Sequence, residues 1–237
     1  MKGCKISAII LSVCLILSGC SMSNTAKGGL IGGGSGGALG ALIGHLAGGG
    51  KGAAIGAAVG VAVGTGAGVL IGNKMDKAKK AAEAAKAEAE LLQGSDGTQY
   101  VKATFASGLL FQTGSANLSA SAKADINTFI ANLKAEDDSY DIAICGFSDN
   151  QGWKNSTAAQ SKVKNQELSM KRAQSVQTQF VAAGYPTMHI IHVNGYGEEH
   201  PVADNATSVG QEQNRRVEVY ILPSKEMINA ANAAATK

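Results

Sequence analysis

The chain has 237 residues, a formal net charge of +3 and 45% hydrophobic residues, which leaves room for one ordinary domain plus accessory segments. Its composition is uneven, because most of the 31 glycines crowd a first third that carries almost no charge. Lys2 and Lys5 lie in a segment that reads as removable, so the remainder is close to neutral and lacks the basic footprint of a nucleic-acid binder.

The opening MKGCKISAIILSVCLILSGC has a basic start, an apolar run from Ile6 to Leu17 and small residues before a cysteine, the layout of a secretory signal. About 12 apolar residues fall short of the roughly 20 that cross a bilayer. Leu17-Ser18-Gly19-Cys20 resembles the bacterial lipobox, and the resemblance implies a signal peptide over 1–19 and acylation of Cys20, palmitate among the acyl chains. Ser21 and the lack of an acidic run after it imply sorting to the outer membrane, facing the periplasm. With Cys4 and Cys14 removed and Cys20 acylated, Cys145 is the remaining thiol and no intramolecular disulfide forms. It lies in the strand-like YDIAICGF and reads as a buried core thiol.

Residues 20–27 form a short polar tether. From Gly28 to Gly72 glycine recurs every fourth residue without a miss. Lys27, Lys51 and Lys74 divide this stretch into arms at 28–48 and 52–72, each about 31 Å long as helix, which matches a hydrocarbon core. GGGKG at 48–52 is the natural turn, so residues 28–73 read as a glycine-zipper helical hairpin. Small-xxx-small spacing favours close helix approach, and self-association through 28–72 is expected, with a membrane-inserting oligomer or pore as the alternative function. HLAGGGKGA at 45–53 is no phosphate loop, since His45 and Gly52 occupy the positions of the required Gly and Ser/Thr.

Residues 74–97, rich in Ala, Lys and Glu, predict a solvent-exposed helical spacer, ended by GSDG. QYVKATF (99–105) alternates as a strand, and a short LLF follows at 109–111. Residues 120–133 predict a helix with Leu118 as staple and Ser119 as cap. YDIAICGF (140–147) is a strand, and 165–183, with Leu168, Val176 and Phe180 on one stripe, is a helix closed by Gly184. Two further strands fall near 189–195 and 215–222. The fold class is α/β (α+β), a two-layer sandwich of βαβαβ type over residues 98–222. The tail 223–237 is expected to be loosely ordered.

The four histidines show no ligand spacing and no cysteine partners, no nucleophilic triad is signalled, and neither a metal, a cofactor nor an enzymatic activity is expected. Only three of the 21 basic residues are arginine, Arg172, Arg215 and Arg216. Arginine is preferred where a carboxylate is gripped bidentately.

GFSDNQG, NQELSMKRAQSV, GYGEEHPVADN and NRRVEVYI, in that order, resemble the OmpA-like peptidoglycan-binding family, whose pattern runs G-x-T-D-x-x-G, N-x-x-L-S-x-x-R-A-x-x-V, G-x-G-E-x-x-P-x-x-x-N and N-R-R-V-E. The likeness covers roughly residues 99–222. Together with the lipobox and the glycine-rich segment, it is similar to outer-membrane lipoproteins of that family. By this resemblance Asp149 matches the aspartate that pairs with the ammonium of diaminopimelate in the wall stem peptide, and Arg172 the arginine that holds its carboxylate. Asn165 matches an asparagine that either caps the helix or reaches the ligand. Arg215 lies near the pocket or pairs with Glu198 or Glu199. The implied role is a non-enzymatic tether between the outer membrane and peptidoglycan.

The sequence departs from the family pattern at three points. Ser148 replaces a threonine, with its hydroxyl retained. Gln112 stands where many relatives carry an acid. Asp149 and Arg172 are 23 residues apart, a longer interval than the family's, and the surplus, roughly 153–164, is expected in the loop beside the pocket. It holds Trp153, which either stacks on a sugar or partner or pins the loop at the solvent edge.

Overall fold

A computed structural model describes residues 65–93, 99–137 and 139–236. The signal peptide 1–19, the acylation site Cys20, the tether 20–27 and the glycine arms up to residue 64 lie outside the described residues.

Ala67, Ile71, Met75, Ala78 and Ala82 recur at three- and four-residue steps and form the buried stripe of helix α1 (Thr65–Ala84). This stripe packs α1 against the rest of the domain and corrects two expectations. The helix of the second glycine arm does not end at residue 72 or 73, because the arm's described residues 65–72 are the first part of α1, and Ala67 and Ile71 join the core. Nor is the alanine-rich segment an exposed spacer helix over 74–97. It leaves the helix at Ala84, takes a left-handed turn at Lys86 (φ 63°) and continues as strand β1 (Glu88–Gln93). The physical reason is a period-2 alternation within helix-forming residues: Ala89 and Leu91 pack on the core, while Glu90 turns to the other face and pairs with Lys102 at 3.0 Å. Among the described residues no helix is long and apolar enough to cross a membrane.

β1 forms an antiparallel pair with β2 (Gln99–Ala106), in register Leu91 to Val101. A single helical turn, α2 (Ser107–Leu110), then takes up most of the expected LLF segment, and Phe111 bridges to Leu118. Helix α3 (Ala120–Glu136) starts at Ser119, whose Oγ accepts from Ala122 N at 3.0 Å. Strand β3 (Tyr140–Gly146) leads through a loop to the long helix α4 (Ala158–Ala182). A 3-10 turn (Thr187–His189) precedes β4 (Ile190–Gly195). Helix α5 (Ser208–Asn214), which sequence patterning did not anticipate, precedes β5 (Arg216–Pro223).

The sheet order is β1-β2-β5-β3-β4, with β3 and β4 parallel and the other pairs antiparallel. This is the expected mixed α/β two-layer class. Alternation along the strands separates two faces: Ile142, Ile144, Val217 and Val219 join the main core under the helices. Ala143, Cys145, Tyr220 and Leu222 form a second cluster on the other face. The Cys145 thiol is buried there, and burial, reinforced by the Glu218 carboxylate, pushes its pKa well up despite the opposing Arg216 charge.

The C-terminal tail also differs from expectation. Ser224 caps helix α6 (Lys225–Ala235), accepting from Met227 N at 3.2 Å. Met227, Ile228 and Ala231 sit on one face, buried, with α6 packed against α1. The alanine-rich composition hid a short apolar stripe that needed α1 as its partner. Replacing Ile228 with Ala is expected to cost about 2–5 kcal/mol, read as a lower urea midpoint for the full-length chain in detergent. An unchanged midpoint would show that α6 is dispensable.

Candidate functional site

The site is assembled around α4. Its buried residues Ser161, Asn165, Ser169, Arg172, Ala173, Val176 and Phe180 follow helical spacing, polar in the first half and apolar in the second. The apolar half packs on the core, as in the T-shaped contact of Phe180 with Phe129. The polar half faces a loop and a cavity. Gly146 and Gly195 allow the close approach that sets this geometry. A Cβ on Gly146 would lie 2.1 Å from Ser169 O, and one on Gly195 2.1 Å from Met170 N.

The helix begins earlier than expected. Thr157 and Gln160 form a reciprocal capping box, so residues 158–164 of the surplus segment are added helical turns rather than loop. Asn165 is therefore internal to α4 and does not cap it. Its Nδ2 donates to Gln151 O at 3.1 Å and to Asp149 O at 3.4 Å, and its Oδ1 accepts from Trp153 Nε1 at 2.7 Å. Ser161 Oγ accepts from Trp153 N at 2.9 Å. Asn165 thus braces the loop that carries Asp149, a role invisible in sequence because its partners are backbone oxygens and a side chain of that loop.

Asp149, Asn165, Arg172 and Arg215 all line one cavity of about 450 Å³. Asp149 is 5% exposed and Arg172 3%. Asp149 follows β3. Its Oδ1 accepts from Gln151 N at 3.2 Å, and its Oδ2 is ion-paired with Arg215 Nη1. Arg215, whose side chain is 35% exposed, is thus engaged with Asp149 rather than with Glu198 or Glu199. The neighbouring Arg216 is a structural residue: it lies 3.8 Å over the Phe147 ring and donates from Nε to Glu218 Oε1 at 2.7 Å, with Tyr220 donating to Glu218 Oε2 at 2.6 Å.

Arg172 stands in a different electrostatic position. Its Nε donates to Ser115 O at 3.0 Å and its Nη1 to Ser107 Oγ at 3.4 Å, and the guanidinium lies 5.2 Å from the Phe111 ring centroid. Among the described residues no carboxylate lies within ion-pair distance of it. Burial, and then the Arg215 charge, push its pKa down from the ordinary arginine value, while Asp149 pushes back. A buried cation with two neutral acceptors and unused N–H groups retains a large desolvation cost. A planar anion entering the cavity relieves that cost by accepting paired N–H bonds. The cavity therefore offers a buried guanidinium for an anion and, at Asp149, a buried carboxylate shared with one displaceable arginine.

A mixed five-stranded sheet under one helical layer, with a buried aspartate after β3 and a buried arginine on the next helix, is the arrangement that the resemblance to OmpA-like domains implies. Residues 110–215 match the OmpA family profile, and residues 1–76 match the YMGG-like Gly-zipper profile. The chain carries an OmpA-family domain preceded by a glycine-zipper segment. It is 47% identical over 57 residues to outer-membrane lipoprotein YfiB of Pseudomonas aeruginosa, covering 24% of this chain and 33% of YfiB. It is 38% identical over 96 residues to peptidoglycan-binding protein ArfA of Mycobacterium bovis, covering 40% of this chain and 26% of ArfA. The chain thus spans a third or less of these curated relatives. The crystal structure of a MotB-like protein from Desulfovibrio vulgaris superposes with a TM-score of 0.53 at 20% identity, covering 65% of this chain and 95% of that one, which speaks to the fold alone.

Replacing Asn165 with Ala removes the brace and leaves the indole N–H without its acceptor. The expected cost is about 1–3 kcal/mol. Trp153 is the only tryptophan, so a red-shifted emission in the folded variant is the direct readout. Unshifted emission would show that Asn165 does not hold the loop.

Proposed function

We propose that the domain binds peptidoglycan non-covalently and non-catalytically through the diaminopimelate end of an uncrosslinked stem peptide. In this reading the chain is an outer-membrane lipoprotein, acylated at Cys20, that tethers the membrane to the wall from the periplasmic side. The observation that carries the reading is the buried Arg172, without a carboxylate partner among the described residues, in the same cavity as the buried Asp149. The free end of diaminopimelate is a zwitterion. Its carboxylate complements Arg172 and its ammonium complements Asp149, with Arg215 yielding part of the Asp149 carboxylate as the ligand enters. Hydrogen bonds to charged groups contribute about 1.5–3 kcal/mol each, enough for reversible recognition without any covalent step. The names borne by YfiB and ArfA support the wall-binding and envelope parts of the reading. The glycine segment serves here as the membrane-proximal part of the tether.

Co-sedimentation of the purified full-length chain with cell-wall sacculi, with free diaminopimelate as competitor, tests the reading. Asp149→Ala or Arg172→Ala is expected to weaken binding at least about 30-fold, since truncating one member of a buried charged contact costs about 2–5 kcal/mol. Binding is also expected to weaken as salt rises. Undiminished pelleting of the double variant would remove the mechanism.

A further inference from the structure

We propose that the ring of Trp153 forms a saccharide subsite beside the charged groups, so that the cavity takes a glycopeptide in preference to the bare peptide. The inference rests on the stem-peptide reading above and extends it to the sugar from which such a peptide hangs.

Trp153 lies in the segment that lengthens the interval between Asp149 and Arg172. The fold does not use its ring as core: the residue is half-buried and lines the cavity. Both of its polar groups are already committed, the backbone N–H to Ser161 Oγ at 2.9 Å and the indole N–H to Asn165 Oδ1 at 2.7 Å. Lys164 Nζ lies over the ring at 5.9 Å from its centroid, so what the residue still offers a ligand is the remaining aromatic surface, in a fixed orientation. That orientation is set by Asn165, by the capping box that starts α4 and by the left-handed turn at Asn155 (φ 58°).

The surroundings select the ligand class. Gly152 precedes the ring, and the nearest atom to a Cβ placed there is Ser161 Oγ at 3.7 Å, so no side chain of its own crowds the approach. Lys154, Thr113 and Ser208 line the same cavity, so the residues around it include one ammonium-bearing and two hydroxyl-bearing side chains. A pyranose presents a face of C–H bonds to an aromatic plate and hydroxyl or acetamido groups to polar neighbours. An aliphatic peptide side chain satisfies the plate alone and leaves those polar groups without ligand partners. The subsite is continuous with the carboxylate site, because Asn165 bonds both Trp153 and, at 3.4 Å, Asp149 O. A ligand anchored at Asp149 and Arg172 thus reaches the ring without leaving the cavity.

The test titrates the full-length chain in detergent with two probes, the tripeptide ending in diaminopimelate and the same tripeptide carried on N-acetylmuramic acid. Binding is followed by calorimetry and by the emission of the single tryptophan. The expected wild-type result is about tenfold tighter binding of the muramyl peptide, the upper range for an aromatic contact, with an emission change larger than the bare peptide produces. Trp153→Ala is expected to bring the two affinities to equality, any loosening of the loop through the lost Asn165 bond falling on both probes alike, and Trp153→Phe, which loses the same bond but keeps a ring, to retain part of the preference. Equal wild-type affinity for the two probes would overturn the subsite and leave the peptide reading intact. Loss of both affinities in equal proportion in both variants would make Trp153 a purely structural pin and would also overturn it. Failure of the wild type to bind either probe would remove the peptide reading and this inference together.

Discussion

The geometry of the domain depends on the absence of side chains between α4 and the ends of β3 and β4. At Gly146 and Gly195 the helix backbone occupies the space a Cβ would need, so α4 rests directly on the sheet at the two strands that pair in parallel. The atoms in the way are backbone, which has no rotamer to yield. Ser169 sits at this contact and accepts from Gly197 N at 2.9 Å. Arg172, one helical turn farther along, is thereby held at fixed height over the cavity, where it meets Ser107 and Ser115. Asn165, one turn before Ser169, meets the loop carrying Asp149. One steric contact sets the distance between the two charges.

The charges themselves divide the arginines by function. Arg216 is saturated, with Glu218, two backbone oxygens and the Phe147 face around it. Arg215 has a carboxylate and a route to solvent. Arg172, 3% exposed, has no carboxylate within ion-pair distance among the described residues. Adjacent positions in NRRVEV therefore perform unrelated tasks because Arg215 sits in the bend that closes α5 whereas Arg216 is the first, buried residue of β5, and of the three guanidiniums it is that of Arg172 that retains capacity for an outside anion. Arginine suits all three places, since its charge survives burial.

Much of this was legible in sequence where period and partner lay close together. β2, β3, β5 and α3 follow from alternation or from a cap and stripe that need no distant knowledge, and the four motifs locate Asp149, Arg172 and Arg215 by number. Legibility failed where a segment's own preference pointed elsewhere. Ala87 to Leu92 consists of helix-forming residues, and only pairing with β2 makes it a strand, a tertiary override of propensity. The stripe of α6 is three residues long and acquires meaning from α1. Asn165 looked like a cap because the helix start was placed there, whereas Thr157 and Gln160 supply a stronger start signal eight residues earlier. The motif marked Asn165 as important without showing that its partners are in the preceding loop.

The absorption of residues 65–93 into the domain alters the mechanics of a tether. An exposed helix over 74–97 would have supplied about 36 Å of reach at 1.5 Å per residue. Instead α1 lies along α3, α6 and the first two strands, with Lys74 and Lys77 ion-paired to Asp137 and Glu136 on the far end of α3. In the tether reading, the gap between membrane and wall is therefore left to residues 21–64. In that reading tension arriving at Thr65 would not draw out a slack linker; it would be borne in shear by a helix whose withdrawal uncovers Ala67, Ile71 and Met75 together.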